Sequence, residues 1–373
     1  MSKKILVTST DLMMVQFLTP HIINLSENGY EVSIACSDVG GRMQELREKL
    51  QAYTKAIYTV RLHRSPVCID NMNGYRDMKT IVCKNHYDII WTNEPVMGVV
   101  TRLAAKKARK HGTKVLYMVH GFHFYKGASK FNWLVYYPIE KIMASKCDMI
   151  CTVNYEDYQR AKRFSVKKVK YIHGIGINTE RLTMAENRKN IREELNLTTE
   201  DIVVLSIGEL NKNKNQKVII QAIKEIGDKR LHYIICGKGN QRDELEKLVE
   251  KLGLKEKIHF LGYRKDVVDI CSQSDIYVMP SYREGLPVSS LEAMYCGLPL
   301  VTSNIRGLCD VMENGKTGYM YEPDDWRGVA QGIKELMNNP ELRKQMGGRN
   351  RKIVIPFCLE QTKKEVVDLI KEL

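Results

Sequence analysis

The chain has 373 residues, too many for one ordinary domain and enough for two. Its 43% hydrophobic and 27% charged content is that of a globular protein, and no apolar run approaches the ~18–20 residues that span a bilayer. Ten cysteines are scattered without CxxC pairs or matching histidines, which argues against a disulfide framework or a zinc site and for reduced thiols in a cytoplasm.

The net charge of +14 is unevenly divided. Residues 1–172 carry 27 Lys/Arg against 14 Asp/Glu, whereas residues 173–373 carry 31 against 30. The first half therefore attracts an anion: nucleic acid, an acidic membrane face or a pyrophosphate substrate. Neither a zinc finger nor an RNP-type strand is present, so no nucleic acid is expected. An anionic bilayer fits better, at about 1 kcal/mol per cation near the surface. A solvated basic face is the plainer reading.

The N-terminus enters a strand at Lys4–Thr8 without the apolar region and cleavage site of a signal peptide. A helix is expected over Phe17–Asn28, a strand at Val32–Cys36 and an amphipathic stretch at Gly41–Gln51. Further strands are expected at Ile57–Val60, Ile89–Trp91, Lys114–Val119 and Met149–Val153. A glycine-bearing break at His173–Asn178 reads as a linker. Beyond it come strands at Ile202–Ile207, His232–Cys236, Ile258–Leu261, Ile276–Met279 and Leu300–Thr302. Helices fit Lys217–Ile226, Gln241–Leu252, Val288–Tyr295 and Trp326–Asn338. This alternation predicts two doubly wound, Rossmann-like α/β domains, residues 1–172 and 173–355, facing one another across a ligand cleft. The final helix, within 356–373, either caps the second domain or crosses back to the first.

The sharpest motif is Arg283-Glu284-Gly285-Leu286-Pro287-Val288-Ser289-Ser290-Leu291-Glu292. Gly285 and Pro287 form a tight turn after a buried strand. The amides of Val288, Ser289 and Ser290 then stand at a helix N-terminus, a site for phosphate. Glu284 and Glu292 flank that end and suit hydroxyls of a ribose and a sugar. A capped helix with two solvated acids fits the same letters.

The Glu284–Glu292 spacing, with Gly-Leu-Pro between, resembles the signature of the retaining family-4 glycosyltransferases, which have the GT-B fold. The resemblance runs on through Gly307, Glu313, Asn314, Gly315, Gly318 and Pro323 and covers most of residues 170–340. It implies that Glu284 contacts the donor sugar and Glu292 the ribose. In Ser206–Asn215, Gly208 opens a basic loop, and Lys214 falls on the family's diphosphate-binding lysine. Glu209 occupies the usual arginine position, and Lys212 is the candidate substitute. Gly237-Lys238-Gly239 reads as close approach to a nucleotide or as a tight turn. Backbone groups around Tyr263 and Arg264 resemble the family's base-binding segment. His120 matches the histidine that reaches the donor sugar, with a structural histidine at a strand end as the rival. The family's glycine-rich first turn is replaced by Thr8–Met14, which has no glycine.

The segment Gly121–Gly127 after His120 resembles enzymes that extend capsule, exopolysaccharide or O-antigen units. Arg102, Lys106, Arg109 and Lys110 recur at helical spacing, and Lys126 lies near an aromatic stretch. Such groups suit a membrane headgroup region and an acceptor carried on polyprenyl diphosphate. The expected activity is retaining transfer from a nucleoside-diphosphate sugar, UDP favoured, at the inner membrane face, without metal or other cofactor. A non-catalytic sugar-nucleotide-binding scaffold and an epimerase of the same fold are the alternatives. A dehydrogenase is not expected, because no G-x-G-x-x-G follows the first strand.

Overall fold

A computed structural model describes residues 2–39, 43–183 and 190–373. The chain divides into two compact units, residues 1–176 with 359–373, and residues 177–358. The first opens with β1 (Lys4–Thr8), α1 (Leu12–Glu27), β2 (Glu31–Cys36), α2 (Met43–Leu50), β3 (Ala56–Thr59) and α3 (Asp70–Asn85). It continues with β4 (Ile89–Asn93), α4 (Pro95–Ala104), α5 (Lys106–Lys110), β5 (Lys114–Val119), α6 (Lys130–Ala144), β6 (Met149–Thr152), α7 (Tyr155–Ala161) and β7 (Lys168–Tyr171). All seven strands are parallel, in the order β3-β2-β1-β4-β5-β6-β7.

The second unit begins with α8 (Thr179–Thr183), α9 (Ile191–Glu194), β8 (Ile202–Ile207), α10 (Gln216–Ile226), β9 (Leu231–Cys236), α11 (Arg242–Lys251) and β10 (Ile258–Gly262). After these come α12 (Val267–Ser272), β11 (Ile276–Met279), α13 (Val288–Cys296), β12 (Leu300–Ser303), β13 (Gly318–Tyr321), α14 (Trp326–Asn338) and α15 (Pro340–Ile353). Its parallel sheet runs β10-β9-β8-β11-β12-β13. Two apolar clusters cover this sheet, one containing Val203, Leu205 and Tyr277, the other Val204, Tyr233 and Val278. Alternate residues of one strand thus enter different cores, which is why the central strands are continuously apolar. Both units are Rossmann-like.

Several expected elements shift. The first helix starts at Leu12, not Phe17, because the Asp11 carboxylate caps the Met13 and Met14 amides. The stretch expected at Gly41–Gln51 forms α2, and Gly41 lies outside the described residues. β7 and β13 were not expected. Both are edge strands, only partly buried, and the alternation in Lys-Val-Lys-Tyr looks polar. The final helix, α16 (Leu359–Lys371), belongs to the first unit. There Glu365 accepts from the His173 amide at 2.9 Å and lies 2.6 Å from its ring, and Glu372 pairs with Lys170. The division falls at Gly176/Ile177 and Cys358/Leu359, a few residues beyond the expected boundaries.

The basic stripe needs correction. Arg102 faces no solvent and contacts no membrane. It is 0% exposed, 2.8 Å from Glu140 and 4.0 Å above the Tyr117 ring. Glu140 also accepts from the Tyr117 hydroxyl at 2.9 Å. A break at Ala105 separates α4 from α5, so the four cations do not share one helix. Arg109 is held by Asp148 at 3.0 Å. Lys106 and Lys110 are exposed and line a cleft of about 300 Å³ where β5 and β6 begin, the sheet end opposite to where a doubly wound fold binds its ligand. Lys126 is exposed in the loop after β5, at the ligand-binding end.

Glu140→Ala leaves the buried Arg102 cation without its counter-charge and should lower unfolding free energy by about 3–5 kcal/mol in urea titrations.

Candidate functional site

In the second unit the strand order reverses between β8 and β11, so the loops following those strands border one crevice. The loop after β8 begins at Gly208, whose amide donates to Cys236 O. A Cβ on Gly237 would stand 1.8 Å from Gly208 O, and one on Gly239 2.2 Å from Leu210 O. The Leu210 amide donates to Lys238 O and the Gly237 amide to Gly262 O. The Gly237-Lys238-Gly239 pattern therefore interlocks three βα loops.

Lys214 comes from the first of these loops and Glu284 from the loop after β11. Their Nζ and Oε1 atoms are 2.8 Å apart, with side chains 21% and 12% exposed. Backbone contacts hold the two loops in register: Tyr282 N–H donates to Asn213 O, and the Asn213 amide side chain donates to Arg283 O, both at 2.9 Å. The Arg306 guanidinium donates to Glu284 O at 3.2 Å and is 6% exposed. Gly307 lies at φ +78°, and a Cβ there would stand 2.2 Å from Gly285 O. Only glycine fits that approach at low cost.

Pro287 caps α13 without a side-chain hydrogen bond, which leaves the first-turn amides of Val288 and Ser289 to serve a ligand. Ser290 departs from expectation, because its amide donates to Pro287 O at 3.1 Å. The Leu286 and Val288 side chains pack onto the core, so backbone is what they present. The Ser289 hydroxyl donates to Ile207 O at 3.2 Å and accepts from Tyr277 at 2.8 Å, tying α13 to the ends of β8 and β11. Glu292 is half-buried, one turn further along α13.

Lys212 is exposed and lines a cavity of about 660 Å³ with Gln241 and Glu244, whereas Lys214 of the same loop reaches Glu284. Arg264 is committed to Glu194 at 2.7 Å and Asp266 at 2.7 Å, and these carboxylates hold its pKa above the usual arginine value. The expectation concerned its backbone, which these ion pairs leave untouched, and Tyr263 beside it is 68% exposed.

In the first unit the corresponding reversal lies between β1 and β4. The loop without glycine is organised by carboxylates. Asp11 caps α1 and pairs with Arg64, while Glu94 accepts from the Ser9 hydroxyl at 2.6 Å and the Thr10 amide at 2.8 Å. Glu94 has φ +64° and ψ 156°, a strained conformation for a residue with a Cβ, and burial raises its carboxyl pKa. His120 follows β5, with Nε2 3.0 Å from Asn93 Oδ1. Since the Asn93 amide nitrogen donates to Thr8 O, its oxygen faces His120, whose Nε2 carries the proton. Burial lowers the His120 pKa to about 4, so the ring is neutral at pH 7.

Comparison with known proteins fixes the family. Residues 21–181 match the model described as glycosyltransferase family 4, and residues 187–353 that of glycosyl transferases group 1. A putative glycosyltransferase, EpsD of Bacillus subtilis (strain 168), is 35% identical over 99% of this chain and 96% of its own. The chain is a family-4 glycosyltransferase. An Escherichia coli UDP-Gal:alpha-D-GlcNAc-diphosphoundecaprenol alpha-1,3-galactosyltransferase is 28% identical over 94% of this chain and 90% of its own. Anabaena HepE, solved in complex with UDP, superposes over the whole of both chains with a TM-score of 0.82 at 19% identity, a likeness that shows the GT-B fold.

Sequence reasoning missed Arg306, Asn213 and Glu94. Arg306 precedes Gly307 in the recognised stretch, so it had a signal. Nothing in the letters marks Glu94, because its left-handed φ is a property of the folded loop.

Gly307→Ala should push the 283–287 turn off Lys214 and weaken UDP binding at least about tenfold by calorimetry while the chain stays folded. The buried imidazoles predict a pH effect. His21, whose Nε2 donates to Ile175 O, is also lowered to about 4, mainly by burial. Unfolded, both rings titrate near 6.5. Between the two values the unfolded chain binds the extra protons, so stability is full above 6.5 and falls as pH drops toward 4. Urea unfolding at pH 5 should show a loss of up to about 2 kcal/mol per ring relative to pH 7.5, reduced in His21→Gln.

Proposed function

We propose that this glycosyltransferase moves a hexosyl or N-acetylhexosaminyl group from a UDP-sugar to a polyprenyl-diphosphate-linked saccharide, with retention of configuration, in surface polysaccharide synthesis. The observation that carries the donor half is the Lys214–Glu284 pair beside the α13 N-terminus. A diphosphate reaching this crevice meets the Lys214 cation and the Val288 and Ser289 amides. It then competes with Glu284 for Lys214, and Glu284 turns to donor-sugar hydroxyls. Glu292 takes the ribose hydroxyls.

As the bond from the anomeric carbon to the diphosphate oxygen breaks, negative charge grows on that oxygen, where Lys214 and the helix amides stabilise it. The acceptor hydroxyl attacks from the same face and passes its proton to the leaving phosphate, so the protein supplies no nucleophile. Charge stabilisation by Lys214 and backbone takes the place of a divalent cation.

The acceptor half has different support. The E. coli relative is named for a diphosphoundecaprenol substrate, and α6 carries an exposed apolar stripe. Phe131, Leu134 and Ile142 on α6 are 65%, 77% and 65% exposed, with Lys130 and Lys141 on the same helix. Such a face suits the boundary between headgroups and acyl chains of an anionic inner leaflet. Among the described residues no helix is long and apolar enough to cross a membrane. The protein would act as a peripheral enzyme on the cytoplasmic side.

With radiolabelled UDP-sugars and crude membrane lipid, Lys214→Ala should lower kcat by about 10²–10³, the cost of removing one charge-stabilising donor, while Lys212→Ala changes it by less than about threefold. EDTA should leave transfer unchanged. Full activity in Lys214→Ala would sink the donor-site assignment.

A further inference from the structure

The first unit has an open groove of about 1000 Å³ between the segment before α3, α3 itself, α4 and α6. Val67, Ile69 and Met72 form one wall and are 89%, 80% and 62% exposed; Val99 and Leu103 of α4 and Ile139 of α6 form the other. Water contact with that much contiguous apolar surface is unfavourable, and such surface marks a binding site. The wall is fixed in place: Arg61 grips Asp77 at 2.6 Å, Asn71 accepts from the His63 amide and donates to Ser65 O, and a Cβ on Gly74 would stand 2.6 Å from Arg61 O.

One end reaches Thr10, Arg64 and Glu94, at the strand reversal between β1 and β4. Arg76 and Lys79, exposed on successive turns of α3, add cations to the lining. The two carboxylates in the lining are already engaged, Glu140 by Arg102 and Glu94 by Ser9 and Thr10. The excess charge along the rim is therefore positive, and it adjoins a channel that is mainly aliphatic, with Tyr75 and Tyr136 also in its lining.

We propose that this groove holds the acceptor's lipid carrier, with the isoprenoid chain nearest the head lying along Ile69, Met72, Val99, Leu103 and Ile139 and the diphosphate on Arg76 and Lys79. The assignment rests on the lipid-linked acceptor reading and adds the position of the carrier. A concave apolar channel rimmed by cations suits a single chain with one anionic head. A bilayer needs only a flat face.

Farnesyl diphosphate, inorganic diphosphate and farnesol serve as probes of the purified full-length chain by calorimetry. Farnesyl diphosphate should bind at least tenfold more tightly than either fragment. Ile69→Glu and Met72→Glu, both at exposed positions, should weaken it at least tenfold while UDP affinity and the melting temperature stay unchanged. Arg76→Ala combined with Lys79→Ala should reduce its affinity to that of farnesol, and Lys214→Ala should have no effect. Unchanged farnesyl diphosphate affinity in both groove variants overturns the assignment. So does an equal loss of binding to anionic phospholipid vesicles, which would make the face a bilayer contact. Wild-type transfer to membrane lipid reads the acceptor proposal separately. Farnesyl diphosphate held in the groove without such transfer removes the acceptor reading and leaves the groove; transfer that survives both groove variants removes the groove and leaves the reading.

Discussion

A parallel sheet whose strand order reverses leaves two neighbouring strands with connections departing to opposite faces, and a gap opens above their carboxyl ends. Each unit here places a carboxylate across that gap. Glu284, after β11, reaches Lys214 after β8; Glu94, after β4, reaches Ser9 and Thr10 after β1. The two bridges differ in chemistry. The first joins opposite charges and can exchange its cation with an incoming anion. The second joins a carboxylate to a hydroxyl and an amide and holds the Glu94 backbone in a strained conformation. Much of the candidate site in each unit follows from that unit's own crossing. Gly237 and Gly239 allow the loops to approach, Arg306 and Asn213 hold the Glu284 turn, and Asn93 orients His120.

What could be read from the letters follows a physical line. Central strands bury both faces and so appear as unbroken apolar runs, which made all nine inner strands of the two sheets visible without any structure, together with the edge strands β3 and β10. The edge strands β7 and β13 lack that signal. Lys214, Glu284 and Glu292 were legible because each sits at a fixed offset from a turn whose glycine and proline are also constrained. Arg102 was misread because its partner, Glu140, is 38 residues away, and helical spacing alone makes any run of cations look solvent-facing.

Glu209 illustrates a third case. Its side chain is exposed, while its carbonyl accepts from Gln216 and so helps shape the loop. The position serves the backbone, and a site argument built on side chains alone finds no role for it. A buried cation does stand beside the donor turn, at Arg306, contributed by a different connection.

The return of α16 to the first unit makes the second unit an insertion within the first. Ile177 and Cys358, the residues just inside the two crossings, form a β-bridge with one another. During synthesis at about 5–20 residues per second, residues 177–358 emerge complete before the last helix of the earlier unit has been made. The inserted unit can therefore close on its own. The first unit, begun earlier, keeps the α1 surface that α16 covers open to water until that last helix is made.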